Sequence, residues 1–167
     1  MIKKLVGFDT VSRESNLPLI DFVQNILYDQ GIDSRRVPSA DGQKSNLIAT
    51  VGPQEAGGVV LSGHTDVVPV DGQDWDSDPF TLKRSGSRLY GRGSCDMKGF
   101  IGIALALVPK MVNLRRPIHF ALSYDEEVGC LGAPDMIEVI RRELPEPQGV
   151  IVGEPTTMGA VIGHKGM

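Results

Sequence analysis

Apolar positions along the chain alternate between helical spacing and short extended runs, and the alternation itself predicts an architecture. Leu19, Ile20, Val23, Ile26 and Leu27 share one face of a helix that opens at Pro18 and stops at Gly31, because residues three and four apart lie on one side and glycine readily ends a helix. A shorter helix is expected over residues 2–9. FIGIALALVPKM (100–111) predicts a helix beginning near Met97, and APDMIEVIRREL (133–144) an amphipathic one. Extended runs over 32–37 and 46–51 are separated by the turn-prone SADGQKS. VVLSG (59–63) reads as a strand buried on both faces, IHFALSY (118–124) and GVIVG (149–153) as two further strands, and RLYGRG (88–93) as another extended piece. Strand, helix, strand, helix, strand from residue 59 onward is the pattern of an α/β fold. A mostly parallel central sheet with helices on both faces is expected. No internal repeat or low-complexity segment interrupts it.

Composition narrows the function classes. The 167 residues are 41% hydrophobic and carry 17 basic against 21 acidic side chains, a formal charge of -4. That is the size of one globular domain. No basic tract offers a surface for nucleic acid or an anionic membrane. No apolar run approaches the roughly 18 residues that span a bilayer, and MIKKLVGFDT lacks a secretory-type apolar stretch, so a cytoplasmic location is the expectation. Cys95 and Cys130 lack CxxC spacing and are expected to be reduced thiols filling space in the interior. GRGSCDMKG contains a G-x-G pattern, but Lys98 precedes a glycine, not Ser or Thr, so its glycines point to a tight turn and not to a phosphate cradle. Trp75 is expected to anchor the long loop that follows the first buried strand.

The polar residues acquire meaning once placed on this scheme. His64 and Asp66 follow the first buried strand, Asp125, Glu126 and Glu127 the second, and Glu154 the third, while Asp96 stands just before the long helix. Ligands of open parallel sheets bind outside the carboxyl ends of the strands, so separate segments deliver an imidazole and several carboxylates to one edge. Singly, each has a plainer reading: Asp96 as a helix cap, the acidic run as a solvated loop, His64 as a structural ring. Together, the carboxylates would repel one another, and bound cations remove that repulsion. Imidazole with carboxylates and no thiolate cluster suits zinc, with cobalt or manganese as substitutes. More carboxylates than one tetrahedral shell needs suggest two metals and a hydrolytic centre. One of Glu126 and Glu127 can then serve the attacking water and the other a metal, with Asp66 orienting His64.

These residues also carry a resemblance. GHTDVVPV with DWDSDPF, LYGRGSCDMKGF, SYDEEVGCLGAP and VGEPT resemble, in order and over almost the whole chain, the zinc-dependent deacylase and aminoacylase family of metallopeptidases. The resemblance implies that His64, Asp96 and Glu154 bind one zinc and that Asp96 bridges to a second zinc held by Glu127. It makes Glu126 the general base and Asp66 the residue orienting His64, and it implies a cis peptide between Asp96 and Met97. DTVSRESNLPLIDFV, VPVDGQDW and SYDEEVGCLGAPDMI most resemble members acting on N2-acetyl-L-ornithine, with removal of succinyl from succinyl-diaminopimelate as the rival and a catalytically dead zinc-binding module as the non-enzymatic alternative. The implied substrate is a small N-acyl amino acid. Complete members continue past GHKGM into a lid and dimerisation domain and return with a last histidine ligand. Residues 1–162 are therefore expected to be the N-terminal part of a catalytic domain, truncated before the lid, with 163–167 opening the hinge. Such a fragment is expected to hold one zinc better than two and to be nearly inactive alone, its parent a homodimer through the lid. Of the other histidines, His119 is expected in the strand interior and His164 at the hinge.

Overall fold

In the computed structural model, which describes residues 1–163, the elements run α1 (Ile2–Val6), α2 (Leu17–Tyr28), β1 (Ser34–Pro38), β2 (Ser45–Val51), β3 (Val59–His64), β4 (Lys83–Ser85), β5 (Arg88–Tyr90), α3 (Lys98–Leu107), a 3-10 turn (Val108–Lys110), β6 (Ile118–Ser123), α4 (Ala133–Glu143) and β7 (Gly149–Val152). His164 and the hinge expected around it lie outside the described residues. Among the described residues no helix is long and apolar enough to cross a membrane.

The central sheet has the order β1-β2-β6-β3-β7. Its C-terminal half is parallel as expected, β3 pairing with β6 on one side and β7 on the other. The other half is antiparallel, β1 with β2 and β2 with β6, so the sheet is mixed. The reason is local: β1 and β2 are joined by a tight turn in which Ser39 N–H donates to the Lys44 carbonyl, a link too short for a crossover. β4 and β5 form a separate antiparallel hairpin.

Alternation along the strands divides the core into two layers. Leu47, Ala49, Phe120 and Leu122 face α2 and α3, whose Leu19, Ile20, Val23, Leu27, Ile101 and Leu105 complete one buried cluster. The intervening Ile48 and Ala121 face α4 with Val60, Met136 and Val139. Helices therefore cover both faces. The first helix ends at Val6, before the expected Asp9, because the Asp9 carboxylate accepts from the Val11 N–H and turns the chain toward the bridge between Val11 and Val67. The α-helical part of α3 stops at Leu107, and the chain tightens into the 3-10 turn at Pro109, which has no N–H to continue the helical ladder. Phe120 is 1% exposed at the centre of the larger layer. Phe120→Ala is expected to cost about 3–5 kcal/mol in chemical denaturation.

Candidate metal centre

The parallel strands β3, β6 and β7 all end at the same edge, and their ends build the site. Register places His64 beside Ser123, and Thr65 N–H donates to the Ser123 carbonyl at 2.8 Å. After β6 the chain passes Asp125, whose φ of 53° is left-handed, and turns back so that Glu126 and Glu127 face the end of β3. The backbone N–H groups of those two residues donate to the Asp66 carboxylate at 3.0 and 3.3 Å. Asp96 precedes α3 and its peptide to Met97 is cis. Glu154 follows β7 through Gly153, where a Cβ would come within 2.1 Å of the Phe100 ring. Only glycine lets this strand end lie against α3.

His64 is the common point. Its Nε2 lies 2.9 Å from Asp96 Oδ1, 3.6 Å from Glu154 Oε1 and 4.0 Å from Glu126 Oε2. Donors on zinc at about 2.0–2.1 Å in a tetrahedron stand roughly 3.3 Å apart, so these separations bracket a metal shell. Among the described residues, two groups have donor atoms mutually within 4.8 Å, His64 with Glu126 and Glu154, and His64 with Asp96 and Glu127. The chemistry and spacing of the donors therefore fit a divalent cation. Of the residues that the sequence places at this edge, His64, Asp96, Glu126, Glu127 and Glu154 have donor atoms in these groups.

Electrostatics point the same way. Burial opposes a charged His64 ring, yet Asp66, by hydrogen bond and charge, and then Glu154 push it up to about 9. Glu127 is raised by burial and by Asp96 and Glu126, against the pull of His64. Glu154 is raised mainly by burial, with Asp96 and Glu126 adding to it and His64 opposing. The edge thus favours an added positive charge. Asp66 differs: burial works against its charge, but hydrogen bonds from His64, Ser12 and the Glu126 N–H hold it below the usual carboxylate range. The His64 Nδ1 is nearest the Asp66 carbonyl, at 3.0 Å, with the carboxylate at 3.5 Å, so Asp66 grips the ring through its backbone as well as its side chain.

An open groove of about 1050 Å³ leads away from this edge, with His64, Asp96, Glu126 and Glu154 at one end and an apolar wall from α4 and β7 that includes Met136 and Val150.

Other residues fall away from the centre. His119, at the opposite end of β6 and about 13 Å along the strand from Ser123 at ~3.3 Å per residue, is buried, with Nδ1 2.9 Å from Thr50 Oγ1. Burial lowers its pKa from 6.5. Acidification therefore lets the unfolded chain take up a proton that the folded one refuses, and stability should fall as pH drops below about 6.5. In denaturation curves that slope should flatten in His119→Gln. The cysteines are exposed, contrary to expectation, because both sit in turns: Cys95 beside Asp96, and Cys130 at φ 58°. The Cys130 Sγ lies 3.7 Å from Glu126 Oε1. Trp75 anchors its loop under the Arg92 guanidinium, 5.2 Å from the ring centre. Sequence reasoning missed Ser12 and Lys44, whose partners Asp66 and Asp125 are 54 and 81 residues away. It also missed the fully buried Lys98, which donates to the Phe8 carbonyl at 2.7 Å.

Comparison with known proteins places this edge in context. Residues 60–165 match the model of peptidase family M20/M25/M40. The chain is 38% identical over 170 residues to acetylornithine deacetylase of Myxococcus xanthus, covering 99% of this chain and 43% of that protein. It is 36% identical to the Pasteurella multocida acetylornithine deacetylase, covering 92% and 40%. It thus spans about two fifths of the length of these relatives. Human carnosine dipeptidase 1 superposes with a TM-score of 0.70 at 26% identity over 85% of this chain and 34% of that one. An M20 family metallo-carboxypeptidase from Sulfolobus solfataricus shares the fold, with a TM-score of 0.78 at 20% identity over 91% of this chain and 36% of that one. Motif order, sheet topology and these matches agree, and the chain belongs to peptidase family M20/M25/M40.

Proposed function

We propose that this chain carries the metal-binding half of an amidohydrolase that cleaves N2-acetyl-L-ornithine to L-ornithine and acetate. The observation that carries the reading is the convergence of His64 with Glu126 and Glu154, and of His64 with Asp96 and Glu127, their donor atoms within 4.8 Å of one another in each group. The substrate is suggested by relatives named acetylornithine deacetylase that match 92–99% of the chain.

In this reading His64, Asp96 and Glu154 would hold one zinc, and Asp96 with Glu127 a second, with cobalt able to replace either. Bound there, a divalent metal supplies Lewis-acid polarisation of the amide carbonyl and acidifies water. The residues of the chain do the rest. Glu126 takes a proton from the attacking water and returns it to the departing amine, a transfer its partial exposure beside the groove permits. Asp66 keeps the His64 ring turned and its free nitrogen occupied.

The test is a comparison, in the whole protein, of N2-acetyl-L-ornithine, N-succinyl-diaminopimelate and a dipeptide, before and after chelation. The acetyl substrate should show the highest kcat/KM, with activity lost to chelator and restored by zinc or cobalt. Preference for the succinyl compound or the dipeptide refutes the substrate, and chelator-insensitive hydrolysis refutes the metal.

A further inference from the structure

The backbone that carries Glu126 and Glu127 is held by residues that lie outside the groups of metal-facing donors. Asp125, left-handed at φ 53°, accepts from Lys44 Nζ at 2.5 Å in a pair whose side chains are only 16% and 11% exposed. The same ammonium donates to the Ser12 carbonyl. The Ser12 hydroxyl donates to Asp66 Oδ2 at 2.7 Å, and Asp66 in turn accepts the Glu126 and Glu127 N–H groups. The bonds close a ring: Lys44 to Asp125, along the chain to the Glu126 and Glu127 amides, to Asp66, to Ser12 and back to Lys44. The ring joins four segments, namely the turn between β1 and β2, the stretch beside the bridge from Val11 to Val67, the loop after β3 and the turn after β6.

We propose that Lys44, together with Ser12 and Asp125, is a positioning device for the Glu126–Glu127 pair, acting through this ring and not by touching metal or substrate. Three acidic side chains in succession at a sheet edge repel one another, and a turn that folds them back beside Asp66 needs a fixed cation on its far side. Lys44 supplies that cation and spends its other hydrogen bond on the segment that steadies Asp66. A carboxylate displaced by an ångström loses much of its effect as base or ligand, so the ring sets where the pair points. What the pair does there rests on the reading given under Proposed function; that the ring holds it does not.

The experiment separates the two. Hydrogen exchange of the metal-free whole protein, followed over residues 124–131, should show the Glu126 and Glu127 amides exchanging at least about 10-fold faster in Lys44→Met, which keeps the stem and removes the charge. Exchange in β6 should be unchanged. Lys44→Arg should restore slow exchange. Ser12→Ala, which removes one hydrogen bond and no charge, should give the same pattern with smaller amplitude. Arg116→Met, which breaks an exposed pair with Glu55 near the opposite end of the sheet, should change nothing at these amides. In cobalt titrations, Lys44→Met and Asp125→Asn should each weaken uptake about 10-fold or more, and the double variant no further. Wild-type exchange at Glu126 and Glu127 in Lys44→Met overturns the proposal, as does acceleration spread equally through β6 with a matching loss of thermal stability. If the wild type takes up no cobalt while the exchange pattern is as described, the ring stands and the metal reading falls.

Discussion

Replacing Glu126 by Gln should lower kcat of the whole protein about 10³-fold, some 4 kcal/mol in activation free energy, with bound metal and thermal stability unchanged. In the proposed reading this side chain moves the proton: it is 38% exposed beside the groove, with its backbone N–H fixed by Asp66. Gln keeps the shape and the acceptor oxygen but cannot carry the proton from water to amine. Steady-state kinetics alongside metal analysis by mass spectrometry decide it. The second measurement is needed because Glu126 also shares a donor group with His64 and Glu154. If Glu126→Gln loses metal in step with activity, the side chain is a ligand, and Glu127 becomes the candidate base.

The largest effect on metal binding is expected from His64→Ala. His64 belongs to both donor groups found among the described residues, so its loss takes a donor from each of them. Spread over four ligands, the roughly 10–16 kcal/mol of a structural zinc site corresponds to some 2.5–4 kcal/mol each. Calorimetric titration should therefore show affinity lower by about 10²–10³-fold. The wild type should show a further signature. The ring nitrogen that faces Asp96 must give up the proton it holds below about 9 before it can bind a cation, so apparent affinity should rise with pH through the neutral range. Titration in buffers of different ionisation enthalpy should show a proton released on uptake. An affinity independent of pH between 6 and 8, or unchanged in His64→Ala, would remove His64 from the centre.

The convergent edge was legible because the pattern that marks a buried strand also marks where it stops. His64, Glu126 with Glu127, and Glu154 follow their apolar runs within a few residues, and a parallel arrangement brings such ends together whatever the loops between them do. The antiparallel half was less legible, since periodicity gives a strand but not its partner. Asp9 ended a helix through a local hydrogen bond that apolar spacing does not register. Ser12, Lys44 and Lys98 were missed for a different reason. Nothing near them in sequence distinguishes a lysine that reaches solvent from one that closes on a carbonyl or carboxylate far along the chain.

β3 lies between two parallel neighbours, with His64 on the middle strand, Glu126 and Glu127 arriving from the β6 side and Glu154 from the β7 side. Where these three segments leave the sheet is thus set by the interstrand spacing, about 4.8 Å on either side, a distance fixed by backbone hydrogen bonds more than by how well the layers beneath are filled. Melting temperature and metal affinity should accordingly drift apart under mutation: a hollowed core, as in Phe120→Ala, leaves a softer protein that still measures a cation with an unaltered ruler.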